Sequence, residues 1–137
     1  VPHLNQVKEQ DSMEFLKKFS NWTDVEEHDA QTIIFSEGSP ADVLYVILSG
    51  EVQLSLRGEP LETAGEGGLI GEMAISSSDT RSATATSITS VKLARIKRDK
   101  FNEFMTESTD FSLHVMAELA NRLRAINRYI KNQFGSG

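Results

Sequence analysis

Residues 71 to 86 run Gly-Glu-Met-Ala-Ile-Ser-Ser-Ser-Asp-Thr-Arg-Ser-Ala-Thr-Ala-Thr, which sets Glu72 and Arg81 nine positions apart on either side of a short polar turn. Gly71 lets a ligand come close to the backbone. Glu72 accepts hydrogen bonds of the kind sugar hydroxyls donate, and Arg81 offers a planar fork of donors that suits a phosphate. A nucleotide carries both features. Taken by themselves, the two side chains read more readily as an ordinary surface ion pair, which contributes little in water.

The stretch resembles the phosphate-binding cassette of the cyclic nucleotide-binding domains, modules found in catabolite activator protein, protein kinase A regulatory subunits and cyclic-nucleotide-gated channels. That pattern is Gly-Glu-[Leu/Met]-Ala, a variable loop, then Arg-[Ser/Thr/Ala]-Ala. Gly71, Glu72, Met73, Ala74, Arg81, Ser82 and Ala83 fit it with the usual loop length. The similarity extends through Ile34-Phe35-Ser36-Glu37-Gly38, through Tyr45 to Val52, and through Gly65-Glu66-Gly67, over roughly residues 30 to 130.

The resemblance implies that Arg81 holds the exocyclic phosphate oxygens together with the amides of Ser82 and Ala83. It implies that Glu72 holds the ribose 2′-hydroxyl, with Gly71, Met73 and Ala74 around it. A cyclic phosphodiester has one negative charge, which a single arginine and a few convergent N–H groups match. Residues 71–74 can open a short helix whose N-terminus favours an anion. In the family a threonine after the arginine tends to accompany cGMP, whereas serine or alanine is common among cAMP binders. Ser82 therefore leans to cAMP, with cGMP as the second ligand. Leu61 is expected either to pack on the base or to be a plain core leucine. Ile70 stands where many members have an aromatic residue and Thr80 where many have proline, differences that bear on cassette rigidity and so on affinity. A domain that keeps the fold and has lost its ligand is the competing reading.

Composition narrows the class independently. A chain of 137 residues suits one domain that buries about two thirds of its unfolded surface, and we read 1–134 as that domain and 135–137 as a tail or processing remnant. At 39% hydrophobic and 25% charged the chain is ordinary for a globular protein. A formal net charge of −6 argues against a nucleic-acid footprint. There are no cysteines, so disulfides and thiolate chemistry are excluded. No apolar run is long enough to span a membrane, and a cytoplasmic location is the expectation.

The elements must place the cassette. An amphipathic helix is expected over 11–18, its apolar face set by Phe15, Leu16 and Phe19. Short β-rich runs follow at 32–35, 43–48, 52–56, 83–88 and 91–96, punctuated by glycines and by Pro40 and Pro60 about every ten residues. The code then turns helical over 98–106 and from 110 to about 133. The expected fold class is mainly β with flanking helices. It is a double-stranded β-helix, a jelly-roll-like β-roll, with an N-terminal helix and C-terminal B and C helices.

Along the last helix, Met116, Leu119, Leu123, Ile126 and Ile130 recur at spacings of three and four. The stripe can lie on the β-roll or zip against a twin helix, and we expect a homodimer. Ungapped alignment from Arg81 puts Arg122 where the family can have an arginine facing the cassette acid, and Asn127 near where helix residues cap the base. A solvated basic face with Arg124, Arg128 and Lys131 is the alternative for Arg122. Such lid contacts would let this helix relay ligand occupancy.

Two other classes compete with this reading. A cupin-like metalloenzyme needs converging histidines and carboxylates, but His3, His28 and His114 lie in three separate segments. No metal and no catalysis are expected. A catabolite-activator-type regulator continues into a helix-turn-helix that this sequence does not contain. The chain is therefore expected to be a stand-alone sensor, or the sensor half of a truncated regulator.

Overall fold

The computed structural model describes residues 15–71 and 80–134. The expectations at 11–14, at Glu72, Met73 and Ala74 with their short helix, and at 135–137 fall outside them.

Eight strands are formed: β1 (Val25–His28), β2 (Ile33–Phe35), β3 (Val43–Ser49), β4 (Val52–Leu56), β5 (Glu59–Ala64), β6 (Leu69–Ile70), β7 (Thr84–Ser87) and β8 (Val91–Lys97). They make two four-stranded antiparallel sheets, ordered β1-β8-β3-β6 and β2-β7-β4-β5. Apart from the β4–β5 hairpin, sheet neighbours come from distant stretches of chain, the interleaving that the expected β-roll requires. The last helices are α1 (Arg98–Glu107) and α2 (Thr109–Phe134), joined through Ser108 alone. Ser108 Oγ accepts from the Phe111 amide at 3.2 Å, so the residue between the helices caps the second.

Strand β3 shows why the roll holds together. Five successive residues, Val43 to Ile47, are buried, because both faces of the strand are covered. Side chains alternate: Val43, Tyr45 and Ile47 enter the core between the sheets, and Leu44 and Val46 enter a second core under the helices. Phe15, Phe19, Phe111 and Val115 fill that second core, with Phe15 and Phe111 stacked at 5.5 Å. Residues 15–17 are helical and Phe15 and Phe19 are buried, as the sequence indicated for that face.

The strands that sequence patterning did not mark are β1, β5 and β6, and all three are sheet edges. An edge strand needs neither strict alternation nor a donor at every position, which is how Pro60 sits within β5 opposite Ser55. No helix among the described residues is long and apolar enough to cross a membrane.

Candidate functional site

Arg81 begins the chain that leaves the cassette for β7, and its backbone is tied to the segment after β2. Its N–H donates to Ser39 O at 2.9 Å, and its carbonyl accepts from the Gly38 N–H at 2.8 Å. Thr80 makes an antiparallel bridge to Pro40. The side chain is only 5% exposed. Its guanidinium lies over the Phe35 ring, 4.2 Å from the centroid, with NH1 directed at Gly71 O at 3.4 Å. Gly71 has φ +85°, and a Cβ there would collide with Arg81 NH1. Glycine is therefore needed at 71 both for its left-handed backbone and to admit the guanidinium.

This guanidinium faces a cavity of about 170 Å³. One wall is apolar: Phe35 from β2, Leu54 and Leu56 from β4 and Leu61 from β5. The second is Gly71, Arg81, Ser82 and Ala83 of the cassette, and the third is Arg122 and Ile126 of α2. The structure thus brings Gly71, Arg81, Ser82, Ala83, Leu61 and Arg122 around one space. Such a cavity, mostly apolar with the buried Arg81 and Arg122 side chains on its walls, suits a ligand that joins a flat apolar ring to an anion.

Asn127 is the exception among the expected lid residues. It is exposed and does not line the cavity, because each helical step turns the side chain by about 100° and Ile126 occupies the inward position. Arg122 is not on a solvated face either: it is 4% exposed. Its Nε pairs with Glu62 of β5 in a very short contact, and its NH2 donates to Leu69 O at 2.9 Å. The expected partner Glu72 lies outside the described residues; among those described, Glu62 is the carboxylate that Arg122 meets.

The reading in which the heptad stripe packs on the roll is also corrected. Met116, Leu119, Leu123 and Ile130 are exposed, and of the stripe only Ile126 turns inward. The face toward the roll is instead Phe111, Val115, Arg122 and Ala125. Polar groups join it to the backbone before the cassette: His114 Nε2 lies 2.6 Å from Gly67 O, and Glu118 Oε2 accepts from the Leu69 amide at 3.1 Å.

Behind Phe35 stands Tyr45 of β3, the two rings nearly parallel at 6.1 Å. The Tyr45 hydroxyl donates to Glu26 Oε2 at 3.0 Å, and Glu26 also meets Arg95 Nε at 2.9 Å and His28 Nε2 at 3.0 Å. Burial, then the Glu26 charge and hydrogen bond, push the Tyr45 hydroxyl above its ordinary value of 10.0, while Arg81 and Arg95 pull the other way. The hydrogen bond to Asp24 likewise holds the Arg95 guanidinium above its ordinary value. Phe35, Ile126 and Glu62 are the site residues that sequence reasoning gave no role, although Phe35 lies in a quoted stretch of similarity and Ile126 in the helix stripe.

Comparison with known proteins bears on this geometry directly. The family description that matches the chain is "Cyclic nucleotide-binding domain", over residues 25–108. A CRP-like cAMP-activated global transcriptional regulator of Mycobacterium tuberculosis is 32% identical over 99 residues, 69% of this chain. A cAMP-dependent protein kinase regulatory subunit of Emericella nidulans is 30% identical over 107 residues, 77% of this chain and 25% of that protein. The chain spans 44% of the length of the mycobacterial regulator. Among solved structures, the c-di-GMP-responsive global regulator CLP of Xanthomonas campestris superposes with a TM-score of 0.74 at 23% identity, over 89% of this chain and 65% of that one, and shares the fold. Two interleaved sheets, a buried cassette arginine and a helix closing the cavity agree with that match, and the chain belongs to the cyclic nucleotide-binding domain family.

Proposed function

We propose that the domain is a non-catalytic sensor that prefers cAMP to cGMP, that Arg81 with the Ser82 and Ala83 amides takes the cyclic phosphate, and that Glu72 takes the ribose hydroxyl. The observation that carries this is the buried Arg81 guanidinium facing a cavity that α2 also walls. A desolvated guanidinium forms stronger charge-assisted bonds to an anion than one in water, and a single ionised phosphodiester matches its single charge. Leu54, Leu56 and Leu61 supply the apolar surface for the base and ribose. The serine at 82, where cGMP-binding relatives tend to carry threonine, supports the preference for cAMP.

Because Arg122 and Ile126 belong to the cavity wall, an incoming nucleotide either contacts α2 or displaces it. Either outcome gives the two helix positions different affinities for ligand, which is what a relay requires. The exposed stripe on α2 supports a homodimer joined helix to helix. We place the domain in the cytoplasm as a regulatory module, with no contact to nucleic acid by these residues.

Titration calorimetry with cAMP and cGMP side by side, followed by light scattering with and without ligand, tests the reading. Saturable binding of both, tighter for cAMP, is expected. Absence of heat with either nucleotide would leave an unliganded scaffold of the same fold.

A further inference from the structure

We propose that Phe35, backed by Tyr45, positions the Arg81 guanidinium before any ligand arrives, and so sets how well the cassette holds the phosphate. The inference rests on the reading of Arg81 as the phosphate's partner. Phe35 ends β2, and the five residues that follow it run to Pro40, which bridges Thr80, while Ser39 and Gly38 bond both backbone groups of Arg81. The main chain of Arg81 is thus fixed by the same segment whose first side chain lies under its guanidinium at 4.2 Å. Tyr45 extends the aromatic surface, its centroid 5.7 Å from Arg81 Cζ and its ring tilted only 14° from that of Phe35.

Tyr45 is itself held. It is buried, and its hydroxyl is bonded to Glu26, which is fixed by Arg95 and His28. The result is a chain of contacts from a surface ion-pair cluster on β1 and β8, through two rings, to the cavity. A ring against the flat face of a guanidinium uses none of its five N–H donors, so the stacking itself does not compete with an oxyanion for them. An arginine in water would lose rotamer freedom on binding; one already lying on a fixed ring loses less.

A double-mutant cycle separates this from simple core filling. Affinity for cAMP is measured by calorimetry for the parent chain, Phe35→Leu, Arg81→Ala and the double variant, with Phe35→Tyr as the variant that keeps a ring. Thermal melts check that each variant is folded. In parallel, NMR of the ligand-free parent and Phe35→Leu reads the shifts of the Arg81 Hδ and Hε protons. Phe35→Leu is expected to weaken cAMP about 2- to 30-fold. Phe35→Tyr should stay within about twofold of the parent, and Phe35→Leu should change affinity by less than about twofold once Arg81 is alanine. In the ligand-free parent the Arg81 protons should be moved upfield by the ring and return toward ordinary values in Phe35→Leu.

Losses that multiply independently would overturn the proposal, as would ordinary Arg81 shifts in the parent. Should the parent bind neither cyclic nucleotide while the upfield shifts are present, the ligand assignment fails and the ring–guanidinium pairing stands.

Discussion

Arg81 can receive an anion because its charge has already left water, at 5% exposure, with a ring beneath it and its backbone bonded on both sides. Replacing it by alanine removes one partner of a buried charge pair, and Arg81→Ala is expected to weaken cAMP binding by about 2 to 5 kcal/mol in calorimetry. An unchanged dissociation constant would exclude it from the phosphate site. Tyr45, behind that ring, gives a pH dependence. Its folded pKa is raised above 10.0, so the native state holds the phenolic proton more tightly than the unfolded chain does. The stability this contributes is full below about pH 10 and is lost as pH rises through the folded value. Thermal midpoints should therefore fall on the alkaline side, and Tyr45→Phe should flatten that fall; an identical profile in the variant would refute the coupling. Gly71, Arg81, Ser82 and Ala83 were legible because the resemblance to the cassette pattern singled them out, and the structure brings those four around the cavity. Phe35 was not, since an aromatic residue after an isoleucine looks like core until its ring is seen under a guanidinium.

At the level of elements, the contact that matters is α2 against the chain entering the cassette. His114, Glu118 and Arg122 recur every four residues, so they fall along one edge of the helix, and they meet Gly67 O, Leu69 N and Leu69 O in turn. These are backbone groups just ahead of Gly71, and β6 is a sheet edge whose outer groups would otherwise need another partner. Truncation as Arg122→Ala leaves Leu69 O and the Glu62 carboxylate short of a donor. It should destabilise the domain by about 1 to 3 kcal/mol in urea unfolding. A variant as stable as the parent would show that α2 is held by its apolar contacts alone. The span of α2 was readable from periodicity, and the structure extends the expected ends by only a residue or so to Thr109–Phe134. Its facing was not readable. Phe111, Val115, Arg122 and Ala125 form the inward face, and a buried arginine in that set masks the apolar signal. The edge strands escaped for the related reason that β1 and β5 carry acids, a histidine and Pro60 where a central strand would carry apolar residues.

For the molecule as a whole, turning Arg122 and Ile126 inward has a consequence for the neighbouring flank of the helix. Met116 at 61%, Leu123 at 59% and Phe134 at 80% exposure stand in water with Leu113, Leu119 and Ile130, all on one helix. Met116, Leu119, Leu123 and Ile130 keep coiled-coil spacing along the helix. A second copy of the same helix satisfies that geometry through a twofold axis, since each stripe is its own complement. Ile126, at the cavity, lies between Leu123 and Ile130 in the sequence, so a change in helix position forced by ligand would move the seam with it. Paired charges test the joint without touching the cavity. Met116→Glu with Leu123→Glu should convert a dimer to a monomer in light scattering, while the affinity of each chain for cAMP changes by less than about threefold, as expected for sites without shared partners. If the doubly substituted chain scatters as the parent does, the stripe is not where two copies meet.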